Sequence, residues 1–215
     1  FASFTGPMII AQEYSVFIAK KLEQLSIVDS HNQRNYKFSE AVSERYSLPG
    51  VLIQRYEFDD LTVELTLVFA SNRSALIRTK IINKSALDKK LQLTWQGKLL
   101  SQWQSNKKIN EVFPNWKVDI KATAKEVIFK LPKKRSTWQL MLDEQAQYRI
   151  SRSIETKTKL DSLHSSYQSI ANITVAANED YTLFTTQSYF HNQQEVTKEN
   201  SKIALAGEQA FQQHD

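Results

Sequence analysis

The chain has 215 residues, 41% hydrophobic and 11% aromatic, which is enough apolar material for one large core and too much for a disordered segment. Lys and Arg number 28 against 23 Asp and Glu, a formal net charge of +5, but the basic residues are scattered and alternate with apolar ones, the pattern of solvated strand faces rather than of a nucleic-acid groove. Cysteine is absent, which excludes disulfides and cysteine metal sites, and no apolar run approaches the ~20 residues of a membrane-spanning helix.

In chain order, Met8, Ile9 and Ile10 make a short apolar run behind Gly6 and Pro7. Over residues 12–25, Tyr14, Phe17, Ile18, Leu22 and Leu25 fit a period near 3.6, so the local pattern favours a helix. Two strands over 14–18 and 22–28 are the competing reading. Residues 29–35, rich in Asp, Ser, His and Asn, form a turn cluster.

The cleanest pattern lies between residues 42 and 82. Pro49 and Gly50 punctuate its entry, 51–58 is an apolar run, and Asp59 with Asp60 reads as a hairpin tip. Leu61, Val63, Leu65, Leu67 and Phe69 fall on one side of an extended chain, and Thr62, Glu64 and Thr66 on the other. The first set is therefore expected to be buried and the second more exposed. Ser71, Asn72, Arg73 and Ser74 separate this strand from a third run over 75–82, giving an antiparallel meander.

Further on, Leu91, Leu93, Trp95, Gly97 and Leu99 alternate with Gln92, Thr94, Gln96 and Lys98 in another strand. Residues 102–115 lack periodicity and are expected to form the longest irregular connection. Val118 with Ile120, Val127 with Phe129 and Leu131, and Trp138 with Leu140 and Leu142 predict three short strands, and 148–154, 167–176 and 181–189 predict three more. Asn192 followed by Glu195 then resembles a capping box, and Val196, Ile203 and Ala204 share a helical face as far as Gly207. This predicts a helix over 193–206 whose narrow apolar stripe gives it few contacts. Many strands followed by one helix predict an all-β fold, a large antiparallel β-sandwich (super-sandwich) with a C-terminal exit helix. The sandwich is assigned to residues 1–190, and the exit helix with the start of a linker to 191–215.

Glycoside hydrolysis needs two carboxylates across a sugar pocket. Asp59 and Asp60 are adjacent at a hairpin tip and point apart, while Glu40, Glu44, Glu57 and Glu64 read as a solvent-facing polar row. No catalytic residue is assigned. His31, His164, His191 and His214 are far apart, and Gly6, Gly50, Gly97 and Gly207 are isolated, so neither a metal site nor a phosphate-binding loop is expected. No cofactor is expected. Lys133, Lys134 and Arg135 behind Pro132 form the one dense basic run and read as a turn, so no nucleic-acid partner is expected. Trp95 and Trp138 are in phase with the leucines of their strands and read as core. Trp103 and Trp116 flank the irregular connection and are the candidates for carbohydrate contact or domain-interface packing.

Four segments in order carry a family resemblance. They are Gln12-Glu13-Tyr14 through Leu25-Ser26-Ile27-Val28, then Tyr46-Ser47-Leu48-Pro49-Gly50-Val51-Leu52-Ile53-Gln54, then Val63-Glu64-Leu65-Thr66-Leu67-Val68-Phe69-Ala70, and finally Tyr181-Thr182-Leu183-Phe184-Thr185-Thr186 followed by Gln194-Glu195-Val196-Thr197-Lys198-Glu199. Together they resemble the N-terminal β-sandwich domain of bacterial glycoside hydrolase family 63, the α-glucosidase-like enzymes. The resemblance implies strands rather than a helix over 12–28. It also implies a non-catalytic domain whose partner is a catalytic (α/α)6 helical barrel of the same polypeptide, the barrel holding both the acid and the base. The complete enzyme would hydrolyse α-glucosidic bonds of an oligosaccharide with inversion, and the sandwich would help to shape its substrate entrance. Bacterial relatives imply a periplasmic or secreted location, although this chain carries no signal peptide, and the chain is expected to be a fragment at both ends. An autonomous carbohydrate-binding module is the alternative, and a structural or partner-binding sandwich is a third reading.

Overall fold

Side chains that alternate between apolar and polar leave each strand with one face to bury, and two sheets meeting face to face satisfy that requirement. The computed structural model describes residues 4, 8–11, 15–99, 119–130, 145–163, 165–199, 203 and 206–212. In chain order the strands are β1 (Met8–Ala11), β2 (Ser15–Asp29), β3 (Arg34–Asn35), β4 (Val42–Leu48), β5 (Val51–Glu57), β6 (Leu61–Phe69), β7 (Ser74–Asn83) and β8 (Lys89–Leu99). They continue as β9 (Asp119–Ala122), β10 (Glu126–Lys130), β11 (Gln147–Arg152), β12 (Lys157–Asp161), β13 (Ser166–Val175) and β14 (Asp180–Phe190), followed by the short helices α1 (Gln193–Glu199) and α2 (Glu208–Gln212). One sheet runs β1-β2-β8-β13-β12, with β3 paired to β2, and the other runs β4-β5-β6-β7-β14-β11-β10-β9. The main core, between the sheets, holds Leu25, Ile27, Leu61, Val63, Leu65, Ile81, Leu91, Leu93, Trp95, Phe129 and Leu183 among others. The all-β sandwich with a C-terminal helix is thus the observed architecture.

The local pattern favours a helix over 12–25, but residues 15–25, the described part of that segment, belong to the strand β2. The reason lies in its register. Lys21 pairs with Lys98 and Gln24 with Gln96, so Leu22 and Glu23 both sit opposite Gly97 in a bulge. Leu22 and Glu23 are accordingly both buried, and Leu22 and Leu25, three apart, face one core. The extra residue imitates a helical period inside an extended strand.

Strand β6 corrects a second expectation. Leu61, Val63, Leu65 and Leu67 are buried as the alternation requires, but Thr62, Thr66 and Val68 on the other face are buried as well. Short Thr66 lies between Ile53 and Arg78 on the neighbouring strands, and Thr62 between Glu57 and Ile82, so longer side chains cover both. Val68 belongs to a second small core with Leu76, Phe184 and Phe211, beneath α2. Phe69, the last residue of the strand, is 63% exposed because it stands past the packed part of the core.

Strands β4 and β12, at sheet edges, are absent from the alternation pattern. Every residue of β4 is exposed, so neither face meets the core of this domain. Its turn into β5 is carried by Pro49 and Gly50, where Gly50 has φ +79° and Leu48 pairs with Val51, as a tight turn with proline first and glycine second demands.

The C-terminal segment differs in extent from the single predicted helix. Helix α1 starts at Asn192, whose Oδ1 accepts the Glu195 N–H at 3.0 Å, while Glu195 Oε2 accepts the His191 N–H at 2.8 Å. Ile203 and Ala206 are helical, and Gly207, at φ +55°, donates its N–H to the Ile203 carbonyl before the chain enters α2. The segment is held more firmly than a narrow stripe allows. Val196 and Phe211 are buried, Arg73 pairs with Glu195 at 3.0 Å, and the Ser71 and Ser74 hydroxyls both donate to Glu199 at 2.8 Å. Trp103, Trp116 and Trp138, the connection over 102–115 and the strand expected near 138–142 lie outside the described residues.

Candidate functional site

Catalysis by paired carboxylates requires acids that share an open cleft, so the surroundings of each acid decide whether it can serve. The bulge of β2 presents Glu23 to the interior, where Arg152 of β11 donates to it at 2.5 Å and Gln187 of β14 donates at 2.7 Å. The guanidinium of Arg152 also lies over the ring of Trp95, 4.8 Å from its centroid. Tyr167 donates to the Leu22 carbonyl at 3.1 Å, and Tyr148 to Gln187 Oε1 at 3.0 Å. Burial, reinforced by the nearby Glu23 charge, pushes both phenols well above their ordinary range, so both remain donors. This network ties one sheet to the other.

A second ionic cluster joins the sheets at their edge. Lys89, at the start of β8, lies 2.6 Å from Asp60 and 3.6 Å from Asp29, and Asp60 also receives Arg34 at 3.0 Å and the Tyr36 hydroxyl at 3.2 Å. Partial burial opposes the charge on Asp60. The hydrogen bond and charge of Lys89, with Arg34 and Tyr36, outweigh it and hold the carboxyl below its ordinary value. Asp59 is exposed beside it, so the two aspartates do diverge at the hairpin tip. Glu57 and Glu64 pair with Arg55, and Glu126 with Arg149 and the Ser151 hydroxyl. Among the described residues, every carboxylate that is buried or half-buried is thus engaged by a cation, a hydroxyl or a backbone N–H.

Two surfaces stand out beyond these networks. The first is a cleft of about 420 Å³ on the six-stranded sheet, lined by Lys21, Gln24, Gln96, Lys98, Lys159 and Gln168 with Gly97 and Tyr167. Across it, Gln24 pairs with Gln96, Gln96 with Gln168 and Gln168 with Lys159, which sets a polar row over four adjacent strands. The alternation in β8 showed that Gln96 faces outward; only the pairing of distant strands brings the other members of the row beside it.

The second surface is on the eight-stranded sheet, beside the C-terminal helices. Val42, Tyr46 and Leu48 of β4 are 73%, 51% and 55% exposed on one strand face, next to half-buried Val51 and Ile53 of β5. Val51 packs against the small core that holds Phe211 of α2, so the apolar surface continues from the helical segment out to the sheet edge. No group of three or more His, Cys, Asp or Glu side chains disposed to hold a metal ion occurs among the described residues.

Comparison with known proteins agrees with this architecture. At 9% identity the chain superposes on a structure described as "Putative kojibiose phosphorylase from human microbiome" with a TM-score of 0.59, covering 99% of this chain and 29% of that one. Heparan sulfate lyase HepC from Pedobacter heparinus gives a TM-score of 0.45 at 9% identity, over 80% of this chain and 24% of that one. Heparinase III gives 0.44 at 10% identity, over 79% and 24%. The phosphorylase shares the sandwich fold, and the chain spans 29% of its length. In sequence, residues 1–211 match the family described as "Glucosidase YgjK, N-terminal". The chain therefore belongs to the family of the N-terminal domain of glucosidase YgjK.

Proposed function

We propose that this domain is the non-catalytic N-terminal sandwich of a family 63 glycoside hydrolase that acts on α-glucosidic bonds of oligosaccharides. It packs on the catalytic (α/α)6 barrel of the same polypeptide and helps to shape the entrance through which substrate arrives. The observation that carries this reading is the family match over residues 1–211 to an N-terminal glucosidase domain. Side-chain chemistry supports it. The acid and base of a glycosidase must be poised at a sugar pocket, whereas Glu23, Asp29, Asp60 and Glu126 are committed to Arg152, Lys89 and Arg149.

The surface around Tyr46 and Leu48 is the proposed contact with the barrel. An edge strand with exposed apolar side chains is an aggregation liability unless something covers it, and helices α1 and α2 already begin a helical layer on this sheet. In the complete polypeptide, Tyr46→Glu combined with Leu48→Glu is expected to separate the unfolding of the two domains and to lower turnover. The same pair should leave the melting temperature of the isolated 215-residue chain nearly unchanged. A complete enzyme that unfolds in one step and turns over normally with both substitutions would remove this face from the interface.

A further inference from the structure

We propose that the cleft on the outer face of the six-stranded sheet is a binding site for an anionic saccharide, separate from the proposed interdomain face. Its position follows from the strand pairing. Gln24, Gln96 and Gln168 stand side by side on β2, β8 and β13, with Lys159 next on β12. Neighbouring strands are about 4.8 Å apart, so the three amides form a ladder of donors and acceptors at a spacing that suits the hydroxyls of successive sugar edges. A side-chain amide offers both an acceptor oxygen and two N–H donors, the combination a hydroxyl needs. Among the described residues, none of the three amides has a side-chain hydrogen-bond partner.

The charge around the ladder selects the ligand further. Lys98, beside Gln96, and Lys159, beside Gln168, are exposed at the cleft, and neither has an acidic partner among the described residues. The same sheet face carries Lys90 and Lys157 as well, and among the described residues Asp161 is the one carboxylate lining the cleft. An excess of ammonium groups around an amide row fits a carbohydrate that bears carboxylate or sulfate groups better than a neutral glucan. The floor has a local cause. At Gly97 the β2 bulge brings the Leu22 carbonyl so close that no side chain fits, and Tyr167 lies against the glycine. A bulge bends its strand and increases the local twist, and the cleft lies at this point of the sheet. The volume, about 420 Å³, lies in the range of small-molecule sites.

The site faces away from the layer of α1 and α2, which packs on the other sheet. Its test is therefore independent of whether the barrel docks beside Tyr46. The 215-residue chain is titrated calorimetrically with a trigalacturonate, a sulfated disaccharide, maltotriose and citrate. Tighter binding of trigalacturonate or the sulfated sugar than of both maltotriose and citrate is the expected result, and the better of the two identifies the anionic group. Gln96→Ala and Gln168→Ala should each weaken that binding roughly five- to tenfold. Lys98→Glu with Lys159→Glu should weaken it by at least tenfold, and added salt should mimic the effect. All of these side chains are exposed or half-buried, and an unchanged circular dichroism spectrum verifies that the variants fold. Binding of citrate as tight as that of the charged sugars, a preference for maltotriose, indifference to the substitutions, or no saccharide binding at all would overturn the proposal.

Discussion

Arg152 of β11 and Glu23 of β2 meet at 2.5 Å across the sandwich, with the arginine side chain wholly excluded from solvent. The pair sits in the bulge, where Leu22 and Glu23 are both buried although neighbours in a regular strand point to opposite faces. A charge buried in this way is costly to orphan, although the intact pair adds little net stability over a well-packed apolar replacement. Arg152→Met alone is therefore expected to destabilise the fold by about 3–5 kcal/mol. The double variant Arg152→Met with Glu23→Leu should lose distinctly less than the sum of the two single losses. Urea unfolding of the three variants checks this, and strictly additive losses would show that the two side chains act independently.

Gly97 is required by the same bulge. A Cβ at this position would collide with the Leu22 carbonyl oxygen and stand 2.8 Å from Tyr167 Cε1. Backbone rather than a flexible side-chain end blocks the space, so Gly97→Ala should cost at least the ~1–3 kcal/mol typical of overpacking. Thermal unfolding measures it. A variant as stable as the parent would mean that β2 and β8 are not so closely apposed.

The two ends of β6 should respond differently to truncation. Leu65 is 4% exposed within the main core, so Leu65→Ala is expected to cost about 2–5 kcal/mol through lost transfer energy and a residual cavity. Phe69→Ala, at a position 63% exposed, should stay within about 0.5 kcal/mol. Equal losses in chemical denaturation would contradict the assigned end of the packed layer.

How much could be read from the sequence alone depended on whether both faces of a strand were constrained. Leu91, Leu93, Trp95 and Leu99 alternate with polar residues because one face of β8 is core and the other solvent, and all four are buried. In β4 neither face is covered, and in β12 only Thr158 escapes full exposure, so no pattern marked either edge strand. The bulge in β2 broke the period of two and produced a helix-like spacing. The ion pairs were illegible for a different reason. Glu23 and Arg152 are 129 positions apart, and only the folded sheets bring them together. The same holds for the row Gln24, Gln96 and Gln168, of which a single strand's pattern shows one member at a time.

Stability should fall on the acid side through Asp60. Its carboxyl is held below the ordinary value by Lys89, Arg34 and Tyr36 despite partial burial. The folded state therefore binds the proton less readily than the unfolded chain does. The stabilisation is complete above the unfolded pKa of about 4 and is lost as the pH drops through the lower folded value. Lys89 has the opposite sign. Burial works against its charge, but Asp60 and Tyr36 raise its pKa overall, so its contribution is complete below about 10.4 and fades only at more alkaline pH. Asp60→Asn is expected to flatten the acid limb of an unfolding free energy against pH profile. An acid limb unchanged by this substitution would mean that other carboxylates set it.

Glucose release shows whether this sandwich supports a glycosidase without supplying its acid and base. The 215-residue chain and the same chain extended through the proposed barrel are assayed side by side on α-linked gluco-oligosaccharides. No turnover by the sandwich alone and robust hydrolysis by the extended polypeptide are expected. Turnover by the sandwich alone, abolished when one of its own carboxylates is changed to an amide, would overturn the proposed function and place a catalytic site within this domain.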